Sequence, residues 1–512
     1  MNRLPMPNAI TTSWRRVAGL AAAALLAGGM QTARAAPAEP TAQGVPCGSL
    51  LEAATWRLWD DRGHALARDQ LIFDKLGKAG NTYALYDLQV YFQNLVAMAE
   101  RCGREGRLRQ IAMLVAASYS MLSEPPDGLP GRAWVCRGGP ECRNSKWLLN
   151  SEVLLTSTQY LAFASTVARG LLADRGTQFS RNFVAMTADV AQEHLVRWSA
   201  PEVRDKLRQR IGARPQDVQD GSSKFFMTDK DLWQIAIYAD FAGMMAVLPN
   251  RMLPAGDPRL VAMKQHLGLL LELFAARTTV QLVKGADGRE TRVADIDAGY
   301  SRLYFDNRYA SYRGREKPVE CKSDPARPGR YTVITHIRPD DFAPVPDISW
   351  DFSHARRLVH VFEAIDRNRA ALTRVFGIDA ASLPARETLA AIARQVRVRV
   401  WNQDRRHPLF SNYLSGANGW YRVNYDNGTG YCNEGYPPFG LTDSFASGGY
   451  ASWASLRDLG MRVYELSQSL QEQDRRYIDT YFPGLGAQAG SSRRMLAEIM
   501  FWPTLIGKPR AY

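Results

Sequence analysis

Several side chains able to do acid–base chemistry lie close together between Asp347 and Arg357. Asp351 and His354 are three residues apart, a spacing that makes them neighbours on one face of a helix. Trp350, four residues before His354, would share that face. Because an acid, an imidazole and an indole followed by two arginines would pack poorly in a core, the segment predicts a functional site at a helix start. The simpler alternative is a first-turn carboxylate that only favours the helix dipole.

Aromatic rings are interleaved with Asn, Asp, Arg and Gly in the segment from residue 401 to residue 453. Pyranose sugars present apolar C–H faces that stack on aromatic rings, whereas their hydroxyls need directional polar partners. The segment therefore predicts a carbohydrate-binding groove, although some rings would simply pack a glycine-rich loop onto the core. The candidate substrate-binding residues come from several parts of the chain and are Trp350, Arg357, Trp420, Tyr421, Arg422, Tyr425, Asn94, Tyr304 and Asp306.

The stretch Trp350-Asp351-Phe352-Ser353 resembles the W-D-F-S segment of trehalases and related inverting (α/α)6 glycosidases. In that family the segment carries the general-acid aspartate, and a distant carboxylate in the C-terminal part of the chain is the base. The resemblance covers four residues and implies a toroid with Asp351 as the acid and Glu434 or Asp443 as the base. The chain departs from the family at the residues that follow, 354–357, so the resemblance does not assign trehalose as the substrate.

These residues support three interpretations of function. The first is glycoside hydrolysis, with Asp351, Glu434, Asp443 and His354 as the catalytic candidates; two carboxyls about 6.5–9.5 Å apart would indicate inversion, and about 5–5.5 Å retention. The alternative is a polysaccharide lyase, which needs a group that neutralises a uronate carboxylate and a Tyr or His base for the C5 proton. Asn94, His354, Arg357, Tyr421 and Arg422 suit those roles. The third is a non-catalytic glycan-binding or envelope-assembly protein.

The N-terminus predicts export. Arginines at positions 3, 15 and 16 precede a short apolar stretch, and Ala33-Arg34-Ala35 has the small-x-small form of a cleavage site. A leader over residues 1–35, periplasmic or secreted localisation and no transmembrane anchor after cleavage are expected. The chain has six cysteines, and an even number in an exported protein predicts disulfides. The short loop between Cys136 and Cys142 favours one pair, and chain order favours Cys47 with Cys102 and Cys321 with Cys432.

Charge and motifs narrow the class of partner. The four arginines of the leader account for the fall from +13 in the whole chain to +9 after cleavage. A positive exported protein favours an anionic polysaccharide, or it merely reflects a basic proteome. Lys and Arg are scattered rather than arranged in a stripe, so nucleic acid is not expected. No metal-binding, phosphate-binding or dinucleotide motif occurs, and no metal or cofactor is expected.

Helical periodicity recurs through most of the chain and predicts roughly twelve helices and a mainly α fold. Many paired helices with long decorated loops favour a single (α/α) toroid or barrel over residues 47–512, after a disordered segment at 36–46. An α-solenoid and a two-domain helical protein are the alternatives. Thr279 to Val283 and Tyr331 to His336 alternate like strands and predict a small hairpin or edge sheet, within an insertion around 279–345.

Overall fold

The structure is a computed structural model that describes residues 44–143, 147–174, 176–217, 225–284, 288–300, 305–327, 330–425 and 432–512. The leader predicted at 1–35 and the candidate Tyr304 lie outside these residues. Disorder is predicted over 36–46, but the last residues of that segment, 44–46, contradict the prediction. Val45 N donates to Leu505 O at 3.0 Å and Gly507 N donates to Val45 O at 2.8 Å, which holds this stretch against the C-terminal part of the chain.

The described residues are mainly helical, as the periodicity predicts. The α-helices in chain order are α1 Leu50–Leu58, α2 Tyr83–Arg101, α3 Glu105–Tyr119, α4 Leu154–Gly170, α5 Gln178–Trp198, α6 Pro201–Gly212, α7 Asp229–Met245, α8 Pro258–Arg277, α9 Phe352–Ala355, α10 Arg357–Phe376, α11 Arg386–Gln395, α12 Asp443–Ser447, α13 Arg457–Gln468, α14 Glu472–Tyr481 and α15 Ser492–Leu505. Turns of π-helix at Trp59–Gly63, Leu66–Lys78 and Val396–Val400 extend the series.

Five helices pack side by side in the order α15, α2, α4, α7 and α10. A buried ion pair joins two of them. The Arg367 guanidinium of α10 donates through Nε to Asp240 Oδ1 of α7 at 2.9 Å, and Asn368 Nδ2 donates to the same oxygen at 2.7 Å. Thr228 caps α7 in a capping box with Asp231.

The strands form three separate two-stranded antiparallel sheets. β1 (Val135–Cys136) pairs with β2 (Ser151–Glu152), β3 (Thr278–Lys284) pairs with β4 (Glu290–Ile296), and β5 (Val319–Ser323) pairs with β6 (Tyr331–Thr335). The two predicted strands are therefore present but do not pair with each other. Each is joined to a neighbour along the chain instead, and the neighbours carry charged residues that hide the apolar alternation.

Three disulfides join Cys47 to Cys102, Cys136 to Cys142, and Cys321 to Cys432. All three predicted pairs are confirmed. Disulfides form and persist in oxidising compartments, so these bonds fit an exported protein. None of the helices in the described ranges is both long enough and apolar enough to cross a bilayer.

Candidate active site

Asp351 is the N-cap of α9, a short helix that begins one residue later, at Phe352. Its backbone is extended because it pairs with a neighbouring chain segment: Phe352 N donates to Asn412 O, and Leu414 N donates to Trp350 O, both at 2.8 Å. The helix predicted in the segment from Asp347 to Arg357 therefore begins only at Phe352, and it is interrupted before α10. As a consequence Trp350 does not share a helical face with His354. Its indole donates to Asp297 Oδ2 at 2.9 Å and is buried.

Both oxygens of the Asp351 carboxylate lie within hydrogen-bonding distance of residues of α9. Oδ1 accepts from Ser353 Oγ at 2.5 Å, Ser353 N at 3.1 Å and His354 N at 3.0 Å. Oδ2 is 2.6 Å from His354 Nδ1. Burial alone would raise the pKa of Asp351, but the hydrogen bonds from His354 and Ser353 and the nearby Arg422 guanidinium hold it well below its usual range. These contacts favour the ionised form of Asp351, whereas a general acid must hold a proton.

His354 is the partly exposed member of this pair, with 28% of its side chain exposed. Burial lowers the pKa of His354 to about 4; Asp351 raises it, while Arg357 and Arg422 oppose a further positive charge. The imidazole is therefore neutral at neutral pH. An ionised carboxylate can only accept, so Nδ1 carries the proton and Nε2 presents its lone pair. Nε2 makes no hydrogen bond with any residue in the described ranges.

Tyr421 and Arg422 approach this pair from a distant part of the chain. The Tyr421 hydroxyl is 3.4 Å from His354 Nδ1. Arg422 Nε donates to Asp306 Oδ2 at 3.0 Å, and its backbone N donates to Asp306 O at 3.0 Å. Arg422 has a φ of 56°, a left-handed conformation that costs a non-glycine residue about 1–2 kcal/mol. Such strain is concentrated at functional sites, and here two bonds to one residue hold it.

A second guanidinium reaches the site from α10. Arg357 Nη1 donates to Ser353 O at 3.0 Å, and Nη2 lies 3.5 Å from Asp229 Oδ2. Burial opposes ionisation of Asp229, but the nearby cations Lys230 and Arg357 hold its pKa below its usual range. Three buried carboxylates thus meet more positive groups than they can neutralise. The site's charged residues are Asp229, Asp306, Asp351, Lys230, Arg356, Arg357 and Arg422.

Behind the site lies a narrow cavity with room for about one water molecule, lined by polar residues of α2 and α10. Asn94 lines it, but its amide donates to Met500 O at 2.7 Å and Ser447 O at 3.1 Å, so it ties α2 to α12 and α15. His360 Nδ1 is buried without a partner among the described residues, and burial lowers the pKa of His360 to about 4.

The other predicted residues separate into buried and peripheral groups. Trp420 is 3% exposed, and its indole donates to Gly314 O at 2.8 Å. Its ring has no face open to a sugar, so the predicted stacking role does not fit. Tyr425 is partly exposed, and the Arg422 guanidinium lies 4.5 Å from its ring centroid. Asp306 is buried beneath Arg422.

The two predicted bases have different surroundings. Glu434 Oε2 is 2.5 Å from Lys317 Nζ, and its Oε1 accepts from Cys321 N at 3.2 Å, next to the β5–β6 sheet. Asp443 is close to Arg356 in the cavity wall. Burial raises the pKa of Asp443 to about 6, with Arg493 and Arg356 offsetting part of the rise. Of the predicted carboxyls, Asp443 is therefore the one that holds a proton nearest to neutrality.

Some site residues were missed by the sequence analysis. Tyr86 hydrogen-bonds Arg356, and Gln89 lines the narrow cavity on the same helix, beside Gln93 and Asn94. Their spacing in α2 was a usable signal, because polar residues three or four apart within an apolar, buried helix mark one inward face. Arg356 was overlooked because an arginine at a helix start usually points to solvent.

The one group of side chains in the described ranges with metal-ligand spacing is Cys47, Glu52 and Cys102. Both sulfurs are joined in a disulfide, and Arg104 Nε donates to Glu52 Oε1 at 2.7 Å. These side chains therefore do not fit a metal site. No protein-family model, curated protein or solved structure matches the chain. Function must therefore be argued from the site itself.

Proposed function

We propose that this protein is an exported polysaccharide lyase that cleaves an acidic, uronate-containing glycan. The observation that carries the proposal is the Asp351–His354 pair, a neutral and partly exposed imidazole oriented by a carboxylate and surrounded by cationic side chains. A base of this kind suits removal of a carbon-bound proton, provided that the charge formed on the substrate is stabilised.

In the proposed reaction, His354 Nε2 takes the C5 proton of a uronate residue. The C5–H and C4–O4 bonds break, a C4–C5 double bond forms, and the imidazolium returns its proton to the departing O4. Asp351 holds the productive tautomer and stabilises the imidazolium. Lys230, whose side chain is 33% exposed, and the buried Arg357 behind it supply positive charge for the uronate carboxylate.

Elimination fits the electrostatics better than hydrolysis by an acid pair. A general acid must hold a proton near neutral pH, and the pKa of Asp351 is held too low for that. The specific observation in favour of hydrolysis is Asp443, with its pKa raised to about 6. Hydrolysis with Asp443 as the acid is therefore the second candidate, and a non-catalytic glycan-binding protein is the third.

Two further features belong to the same proposal. The side-by-side packing of α15, α2, α4, α7 and α10 supports an (α/α) toroid, the architecture implied by the resemblance at 350–353. The three disulfides and the predicted leader support a place in the periplasm or outside the cell. The net positive charge supports an anionic glycan as the partner.

The test is a screen of purified protein, without residues 1–35, against neutral and acidic polysaccharides, with reducing ends and ultraviolet absorbance both recorded. Elimination yields both signals because it leaves a conjugated double bond, whereas hydrolysis yields reducing ends alone. We expect both signals on a polyuronate, and a loss on the order of 10²–10⁴-fold in His354→Gln.

The matched control is His407→Gln, because His407 also pairs with a carboxylate, Asp474, at 3.1 Å. That variant should keep full activity. Reducing ends without absorbance would reject elimination and direct attention to Asp443. No cleavage of any polysaccharide, with binding retained, would favour the glycan-binding alternative.

A further inference from the structure

A second concave surface lies between residues 77–80, at the end of a helical turn, and residues 137–143, which follow β1. Its lining differs entirely from that of the cavity behind His354. We call it the loop groove; it has a volume of about 740 Å³ and is open to solvent. Ligand pockets in proteins span about 300–1,000 Å³, so the loop groove has room for one or two sugar rings.

The floor of the loop groove is built from two backbone segments in close contact. Arg137 N donates to Gly80 O at 2.7 Å, and the Cys136–Cys142 disulfide closes the loop on either side of this contact. A Cβ on Gly138 would lie 2.3 Å from Ala79 O, so only glycine allows this approach. The groove is therefore held in shape without a ligand, which lowers the entropic cost of binding.

The charged groups of the groove lining are all cationic: Lys78, Arg137 and Arg143. The side chain of Arg143 is exposed and forms no hydrogen bond or ion pair with the described residues, and the Arg137 guanidinium donates to the neutral Ser123 Oγ at 2.9 Å. Lys78 has an exposed ion pair with Asp74, which is weak in water. These positive groups are available to an anion.

The acid in the same loop faces elsewhere. Glu141 accepts from Asn81 Nδ2 at 2.6 Å and lies 3.5 Å from Lys75 Nζ. Its charge is therefore engaged beneath the groove and does not neutralise the lining. An intact positive field remains at the groove surface.

An exposed aromatic ring follows the groove-lining residues along the chain. Trp147 is 89% exposed. Asn150, three residues later, donates its backbone N to Cys136 O at 2.7 Å, so the chain returns to the loop within three residues of Trp147. A bare indole in water is unfavourable, and indole faces stack well on the C–H face of a pyranose.

From the cations, the open volume and the exposed ring, we infer that the loop groove is a second, non-catalytic binding site for an acidic glycan chain. Carboxylates of the chain pair with Arg137 and Arg143, and a sugar ring stacks on Trp147. The inference takes its ligand class from the proposed function, but its chemistry does not involve His354. A concave, glycine-lined groove favours a glycan chain over a flat membrane surface.

The experiment measures binding of polygalacturonate by affinity electrophoresis in the His354→Gln protein, so that the probe is not degraded. Relative to that protein, the added pair Arg137→Ser and Arg143→Ser should weaken binding on the order of tenfold, and added Trp147→Ala should weaken it severalfold. The control adds Arg208→Ser and Arg476→Ser, which remove the same charge from exposed residues elsewhere and should leave binding nearly unchanged.

Equal binding by the groove and control variants overturns the inference, and so does a lack of binding to any polyuronate. Binding to phosphatidylglycerol vesicles that depends on Trp147, without binding to polygalacturonate, would instead assign the surface to a membrane. Cleavage by the wild type is scored separately. Groove-dependent binding without cleavage rejects the proposed function alone, and cleavage with groove-independent binding rejects this inference alone.

Discussion

The Asp351→Asn substitution tests the central element of the site, and its outcome can be measured without knowing the substrate. Asparagine is as good an N-cap as aspartate, so the bonds from Ser353 N and His354 N to Oδ1 can persist. The change falls on the other atom, where an NH₂ group replaces the oxygen that lies 2.6 Å from His354 Nδ1. A donor then faces a donor.

Two magnitudes follow from this geometry. The lost bond is charge-assisted and largely buried, so the free energy of unfolding should fall by about 1.5–3 kcal/mol. The imidazole can restore a bond only by moving its proton to Nε2, the nitrogen that must act as the base. Cleavage should therefore drop on the order of 10²–10⁴-fold. Loss of the carboxylate also removes an interaction that raises the pKa of His354, so the ring should titrate still lower.

The assay combines denaturant unfolding with ¹⁵N NMR of the imidazole, which distinguishes the two tautomers directly. The control is Asp257→Asn, at the N-cap of α8, where the aspartate accepts from Arg259 N at 2.8 Å but has no histidine partner. That variant should change stability by less than about 0.5 kcal/mol. An Asp351→Asn protein that keeps the Nδ1–H tautomer and the stability of the control would refute the reasoning.

Two further predictions concern stability. Asp240→Ala should lower the free energy of unfolding by about 3 kcal/mol or more in denaturant titrations, because it leaves Arg367 buried without its main counter-charge. The control is Asp205→Ala, which removes an exposed ion pair and should lower the free energy of unfolding by under about 1 kcal/mol. Equal losses in the two variants would contradict the argument. Burial raises the pKa of Asp295 to about 7, so the folded state holds a proton that the unfolded state releases near pH 4. As pH rises from about 4 to 7, the wild type should therefore lose stability relative to Asp295→Asn, which lacks this contribution, and parallel pH curves for the two proteins would exclude this.

Local features of the fold could be predicted from the sequence because they depend on residues close along the chain. Thr228 and Asp231 form a capping box within one helical turn, and Asp351 and His354 interact at a spacing of three. The Cys136–Cys142 pair is similarly local. The start of α9 was misplaced because the chain before Asp351 is held extended by residue 412 and its neighbours, which no local pattern reveals.

The long-range contacts of the site could not be predicted in this way. Arg357 meets Asp229 across 128 residues, and Arg422 meets Asp306 across 116. Each contact depends on how distant segments pack, and neither partner has a spacing that identifies the other. Trp420 is the opposite case, a residue that the sequence predicts in the site and that the fold buries. A composition typical of sugar sites also describes a buried ring that holds a loop, and only burial distinguishes the two.

These long-range contacts are also the reason why we propose elimination rather than hydrolysis by an acid pair. An acid pair requires one carboxyl to be kept protonated by burial or by a second unpaired carboxylate. Here Asp229 and Asp351 are surrounded by donors and guanidinium groups and remain ionised. Burial lowers the pKa of His354, and the nearby Arg357 and Arg422 guanidinium groups lower it further, so the neutral imidazole is favoured. A neutral base within a positive field can remove a proton next to a carboxylate, whereas it cannot donate one to a glycosidic oxygen at the outset.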